Sequence, residues 1–132
     1  MQAIPQTLAD HPRSTPASLG LRSCINACFD CALACTSCAA ACTGRRHVDD
    51  LIRCIRLDLD CADLCETVGR ALSRQARPDW DVLRIEIGAC AAICEACALE
   101  CEQHSRQFDH FSACARACRK CIDQFRATGF LP

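Results

Sequence analysis

Sixteen of the 132 residues are cysteine, and their spacing is as informative as their number. Cys24, Cys28, Cys31, Cys35, Cys38 and Cys42 follow at steps of four, three, four, three and four. Residues three and four apart share one face of a helix. The six thiols therefore form an a/d stripe of the kind that faces the core of a bundle. Leu or Ile normally fills such a stripe. Three more stripes follow: Asp50, Cys54, Asp58, Cys61, Cys65, Val68 and Leu72; then Leu83, Ile87, Cys90, Cys94, Cys97, Cys101 and His104; then Cys114, Cys118, Cys121 and Phe125, with His110 one turn before Cys114.

Thiolates select soft metals, namely Cu(I), Zn(II) or iron–sulfur clusters. Structural zinc needs a closed cage of four ligands. Each isolated tetrathiolate cage leaves about two negative charges in a dry interior, which is costly. Iron–sulfur sites cluster their cysteines around a loop, whereas these lie inside long helices. Cu(I) is monovalent and accepts few ligands, and one sulfur can bridge two ions. Roughly one Cu(I) per thiol gives a nearly neutral core. A zinc or cadmium thiolate buffer is the nearest alternative. A thiol-redox enzyme is another, but it needs one activated cysteine beside a resolving partner, and nothing singles out such a pair. A merely structural core is disfavoured because all sixteen cysteines keep the stripe period.

Four helices must position these thiols. Thr15-Pro16 reads as an N-cap followed by proline at the first helical position. The first helix runs to about Thr43, with Gly44 as its C′ residue and Arg45 and Arg46 at its negative end. Leu21, Ile25, Phe29 and Leu33 mark a second apolar strip on it. The second helix runs from Asp49 or Asp50 to about Gln75. Pro78 breaks it, and Asp79 opens the third, which reaches Ser105. Asp109 is the expected N-cap of the fourth, and Gly129 its stop. The fold class is all-α: an antiparallel up-down four-helix bundle over 15–132, preceded by a short N-terminal arm or helix over 1–14.

Folding the stripes at the turns pairs Cys42 with Asp50, Cys38 with Cys54, Cys31 with Cys61 and Cys28 with Cys65. The second turn pairs Cys65 with Cys90, Cys61 with Cys94, Asp58 with Cys97 and Cys54 with Cys101. The third pairs Cys101 with Cys114, Cys97 with Cys118 and Cys94 with Cys121. The expected layers are Cys31, Cys61, Cys94 and Cys121, and Cys38, Cys54, Cys101 and Cys114. One end is an apolar plug of Val68, Leu72, Leu83, Ile87 and Phe125, into which Cys24 reaches. The other carries Asp50, His104, His110 and His47 and is expected to be an open mouth.

A formal net charge of −1 leaves no basic footprint for nucleic acid. No apolar run is expected to span a bilayer, and residues 1–20 lack the apolar core of a secretory signal. The expected compartment is the cytosol, where thiols stay reduced. Cysteine at about 12% suits a secreted disulfide scaffold, but cysteines three or four apart on one helix are poorly placed for the bond.

The Cys-x-x-x-Cys-x-x-Cys register of these helices, interrupted by Asp58 in the second, and the histidines at one end resemble the cytosolic copper storage proteins. The resemblance covers Cys24 to Cys121. It implies storage or buffering of many Cu(I) ions without catalysis, a homotetramer, and copper admitted at the histidine end, with a copper chaperone or small thiol as donor. The expected metal residues are the sixteen cysteines with His104, His110 and Asp58. Asp58 reads equally as a weak ligand, a proton acceptor during loading, or a hydrogen-bonded acid. His47 reads as surface, His11 as part of the arm, Arg45, Arg46 and Arg53 as solvated helix-end charges, and Trp80 as packing.

Overall fold

The computed structural model describes residues 16–74 and 78–131, with side chains from Gly20 onward. The arm over 1–14, the Thr15 cap, His11 and Gln75 lie outside the described residues. Four α-helices occur among the described residues: α1 (Pro16–Thr43), α2 (Ile52–Ser73), α3 (Trp80–Gln103) and α4 (Asp109–Ala127). A 3-10 turn, Val48–Leu51, leads into α2. No strand occurs among the described residues. Each helix packs on two neighbours, α1 and α3 each lying against both α2 and α4. That is the closed square of an up-down bundle.

The helix ends follow local chemistry. The Asp79 carboxylate accepts the backbone N–H of Val82 at 3.1 Å and caps α3. Gly129 takes φ 83°. The Phe130 N–H then reaches the Phe125 carbonyl, and the Gly129 N–H reaches that of Arg126, both at 3.0 Å. This is a Schellman stop. Two expected caps differ. Asp109 lies inside α4, whose N-cap is Phe108 with no side-chain bond. Gly44 is not left-handed; Thr43 Oγ1 donates to the Ala40 carbonyl and the Arg45 N–H to that of Cys42, so the last turn of α1 tightens instead.

The second strip on α1 divides. Leu21 and Ile25 are buried, Leu33 is exposed, and Phe29 lies over α2 at Gly69. A Cβ at Gly69 would stand 2.7 Å from the Phe29 ring, so the missing side chain makes room for that ring. Arg119 on α4 reaches Glu95 and Glu102 on α3, tying two turns of one helix to the other. Trp80 packs on Phe130, with ring centroids 6.3 Å apart.

One expectation is overturned. The segment Gly20–Thr43 is 24 residues long with mean hydropathy 1.4, enough by length and composition to cross a membrane. Cysteine and alanine both score as apolar, so a thiol-rich helix passes this test. About half of its apolar window is buried in the bundle, as befits a core helix.

Candidate metal centre

The four stripes meet on the bundle axis. Each of the sixteen cysteines is free, and none is more than 1% exposed. Neighbouring sulfurs stand apart by distances such as 3.6 Å for Cys61 with Cys94 and Cys65 with Cys90, 3.7 Å for Cys54 with Cys101, and 3.9 Å for Cys31 with Cys61. A disulfide needs ~2.05 Å, so these are separate thiols.

Groups of four ligand atoms, mutually within 4.8 Å, run along the axis. Toward the plug lie Cys65, Cys90, Cys94 and Cys121. Next come Cys31, Cys61, Cys65 and Cys94, then Cys31, Cys35, Cys61 and Cys118, then Cys35, Cys97, Cys114 and Cys118. Successive groups among these four share two sulfurs, which makes three overlaps. Cys38, Cys54, Asp58 and Cys101 form a further group toward the histidine end. The first four groups therefore form one continuous ladder rather than isolated cages, and Asp58 links it to the fifth through Cys97 and Cys114.

The pairings across the first two turns hold for Cys38 with Cys54, Cys31 with Cys61, and all four contacts of α2 with α3. The pairings of the third turn hold as well: Cys94 shares a group with Cys121, Cys97 shares one with Cys118, and Cys101 lies against Cys114. Cys121 joins Cys65, Cys90 and Cys94, and Cys114 joins Cys35, Cys97 and Cys118. The contacts that close the square, Cys31 with Cys118 at 3.7 Å and Cys35 with Cys114 at 3.6 Å, had not been anticipated.

Asp58 is the hinge between the last two groups. It is fully buried. The Cys97 and Cys114 thiols donate to Oδ1 at 3.1 and 3.3 Å, and Cys54 to Oδ2 at 3.8 Å. Burial first, then the charges of Cys97 and Cys38, push its pKa up to about 10, so the carboxyl is neutral at pH 7. Burial, reinforced by Cys38 and Asp58, pushes the Cys42 thiol up to about 12.

The histidine end is shut rather than open, since Cys42 is 0% exposed. His110 Nε2 stands 3.7 Å from Cys42 Sγ. The His110 ring packs on Phe111 at 4.2 Å and stacks on Phe108 at 5.7 Å. His104 faces Glu100 at 3.0 Å through Nε2 and Gln107 at 3.4 Å through Nδ1. Glu100 also holds Arg53 at 3.0 Å, so Arg53 is paired rather than free. Asp50 is exposed and not in the stripe; Leu51, three residues before Cys54, takes the buried place. Phe111 does the same three residues before Cys114. These two apolar residues at the end of the column were missed, although the step of three pointed to them. His47 is exposed, as expected.

The copper storage protein family matches residues 18–128. This chain belongs to the copper storage protein family. A cysteine-rich protein of Bacillus subtilis (strain 168), YhjQ, is 40% identical over 105 residues, 80% of this chain and 92% of its own length. The copper storage protein Ccsp of Streptomyces lividans, loaded with 10 copper equivalents, superposes with TM-score 0.88 at 37% identity, covering 95% of this chain and 96% of its own. The Cu(I)-bound copper storage protein BsCsp3 superposes with TM-score 0.73 at 38% identity, covering 83% and 97%. Family membership brings with it storage or buffering of multiple Cu(I) ions on thiolates inside a four-helix bundle, without catalysis.

Proposed function

We propose that the sixteen cysteines fill with about one Cu(I) each, that Asp58 completes the ligand group of Cys38, Cys54 and Cys101, and that copper enters past His110. The observation that carries this reading is the overlap of the four-ligand groups. A tetrahedral zinc site with Zn–S of ~2.3 Å needs sulfurs about 3.8 Å apart, so distance alone would admit zinc in any one group. Charge and sharing decide. Sulfurs common to two groups suit bridging between monocations. Filling with one monocation per thiolate neutralises the interior, whereas about one dication per four thiolates leaves it strongly negative.

His110 is the first ligand on the way in, and His104 joins it once its contact with Glu100 breaks. Replacement His110→Ala should slow loading from a Cu(I) solution about tenfold and lower final capacity by no more than about one ion. Anaerobic stopped-flow absorbance at the thiolate-to-copper band reads the rate; an unchanged rate removes His110 from the route. Zinc offered to the reduced protein should saturate near one ion per four thiols and be displaced by Cu(I); retention of zinc against Cu(I) would favour the zinc-buffer reading.

The Streptomyces lividans protein is a cytosolic copper storage protein, and the cytosol is the compartment of this chain as well. We further propose a homotetramer. Val82, Ile85 and Leu99 on α3, and Leu33, Ile52 and Leu59 on α1 and α2, are exposed apolar side chains of the sort a partner subunit covers. A copper chaperone or a small thiol supplies the metal.

A further inference from the structure

A cavity of about 490 Å³ opens beside the histidine end. Its wall includes Arg45, Arg46, His47, Asp50, Gln107 and Phe108. The Arg45 guanidinium lies 3.7 Å over the Phe108 ring, which fixes one cation in place. Neither Arg45 nor Arg46 forms an ion pair among the described residues. The cavity adjoins the top of the column, because the Phe108 ring stacks on His110 and His110 faces Cys42. The two arginines outnumber the one carboxylate on the cavity wall, Asp50, on a chain whose net charge is −1.

We propose that this cavity docks the anionic Cu(I) complex of a small carboxylate-bearing thiol and presents its copper to Cys42 past His110. The inference deepens the storage reading and rests on it. The volume falls in the range of small-molecule sites, ~300–1,000 Å³, and suits a tripeptide-sized ligand. A protein donor would need about 800 Å² of its own surface buried, far more than the cavity wall offers. The arginines pair with carboxylates, and Asp50 meets the ammonium of an amino-acid-derived thiol.

The transfer is a ligand exchange in which copper stays Cu(I). The donor is a bis-thiolate complex whose S–Cu–S core carries −1, with the charge of its carboxylates in addition. The Cys42 sulfur forms a bond to copper, one donor S–Cu bond breaks, and the Cys42 proton leaves on the departing thiolate as neutral thiol. The mixed Cys42–Cu–thiolate core again carries −1, and a second protein thiol repeats the step, its proton leaving on the other donor thiolate as neutral thiol.

The test compares loading of the reduced full chain from Cu(I)–glutathione, from Cu(I)–cysteamine (which lacks carboxylates) and from Cu(I) in dilute acetonitrile. The double variant Arg45→Glu/Arg46→Glu should load about tenfold more slowly from Cu(I)–glutathione at low salt. It should stay within about twofold of the parent from the other two donors, with final capacity unchanged. The parent's rate from Cu(I)–glutathione should fall as salt rises, and the variant's should not. Arg46→Glu alone leaves the Arg45–Phe108 stack intact and should show part of the same selective loss. Unchanged loading from glutathione, or equal slowing from all three donors, would overturn the proposal. Failure of the parent chain to take copper from any donor would overturn the storage reading itself, and the docking site with it.

Discussion

The reduced, metal-free protein is expected to lose about 4 kcal/mol of stability between pH 5 and pH 8 because of one carboxyl, Asp58. The group is fully buried, and its pKa is raised from 3.8 to about 10 by burial and then by the charges of Cys97 and Cys38. The unfolded chain releases this proton above pH ~4, whereas the folded chain keeps it until about pH 10. Between those limits the folded state holds one more proton, so each unit of rising pH removes about 1.4 kcal/mol. The contribution is complete below the lower limit and gone above the upper. Urea unfolding at the two pH values reads it. Asp58→Asn keeps the shape but cannot titrate, so its stability should change by less than about 1 kcal/mol over the same interval. Any titration of unfolded thiols is common to both proteins and cancels in the comparison. Parallel pH profiles would show that Asp58 is ionised in the fold.

Cysteines should also differ widely in what their loss does to capacity. Cys61 Sγ stands 3.9 Å from Cys31, 3.9 Å from Cys65, 3.6 Å from Cys94 and 4.0 Å from Cys118. It belongs to two of the overlapping groups. A serine oxygen is nearly the same size but a poor ligand for a soft ion. Cys61→Ser should therefore cost about two to three Cu(I) ions. Cys24 lies one turn beyond Cys28 toward the apolar plug, and Cys24→Ser should cost at most about one. Metal-to-protein ratios after gel filtration under nitrogen measure both. Equal losses at the two positions would mean that each thiol binds its own ion and that sulfurs are not shared.

Much of this was legible in the chain because the thiol stripe is its own helix marker. Steps of three and four placed all sixteen cysteines inside, and folding at short turns aligned α2 with α3 correctly from Cys65 with Cys90 to Cys54 with Cys101. The third turn likewise paired α3 with α4, Cys94 with Cys121 and Cys97 with Cys118, but left open the seam that closes the square. The contacts of Cys31 and Cys35 with Cys118 and Cys114 join the first helix to the last, which no single hairpin fixes. At the histidine end a step of four and a step of three compete. The step of four favours Asp50 and His110, while the step of three favours Leu51 and Phe111, and burial of apolar surface settles both for the latter. The cavity had no signal in the sequence, since Arg45 to Leu51 and Gln107 with Phe108 come from separate loops.

Anaerobic titration of the fully reduced protein with Cu(I), read against a competing chromogenic chelator, tests the central claim most directly. The column should take about one ion per thiol, roughly sixteen per chain, and release about one proton for each ion bound. Saturation near four ions, or no uptake by a folded and reduced chain, would contradict it.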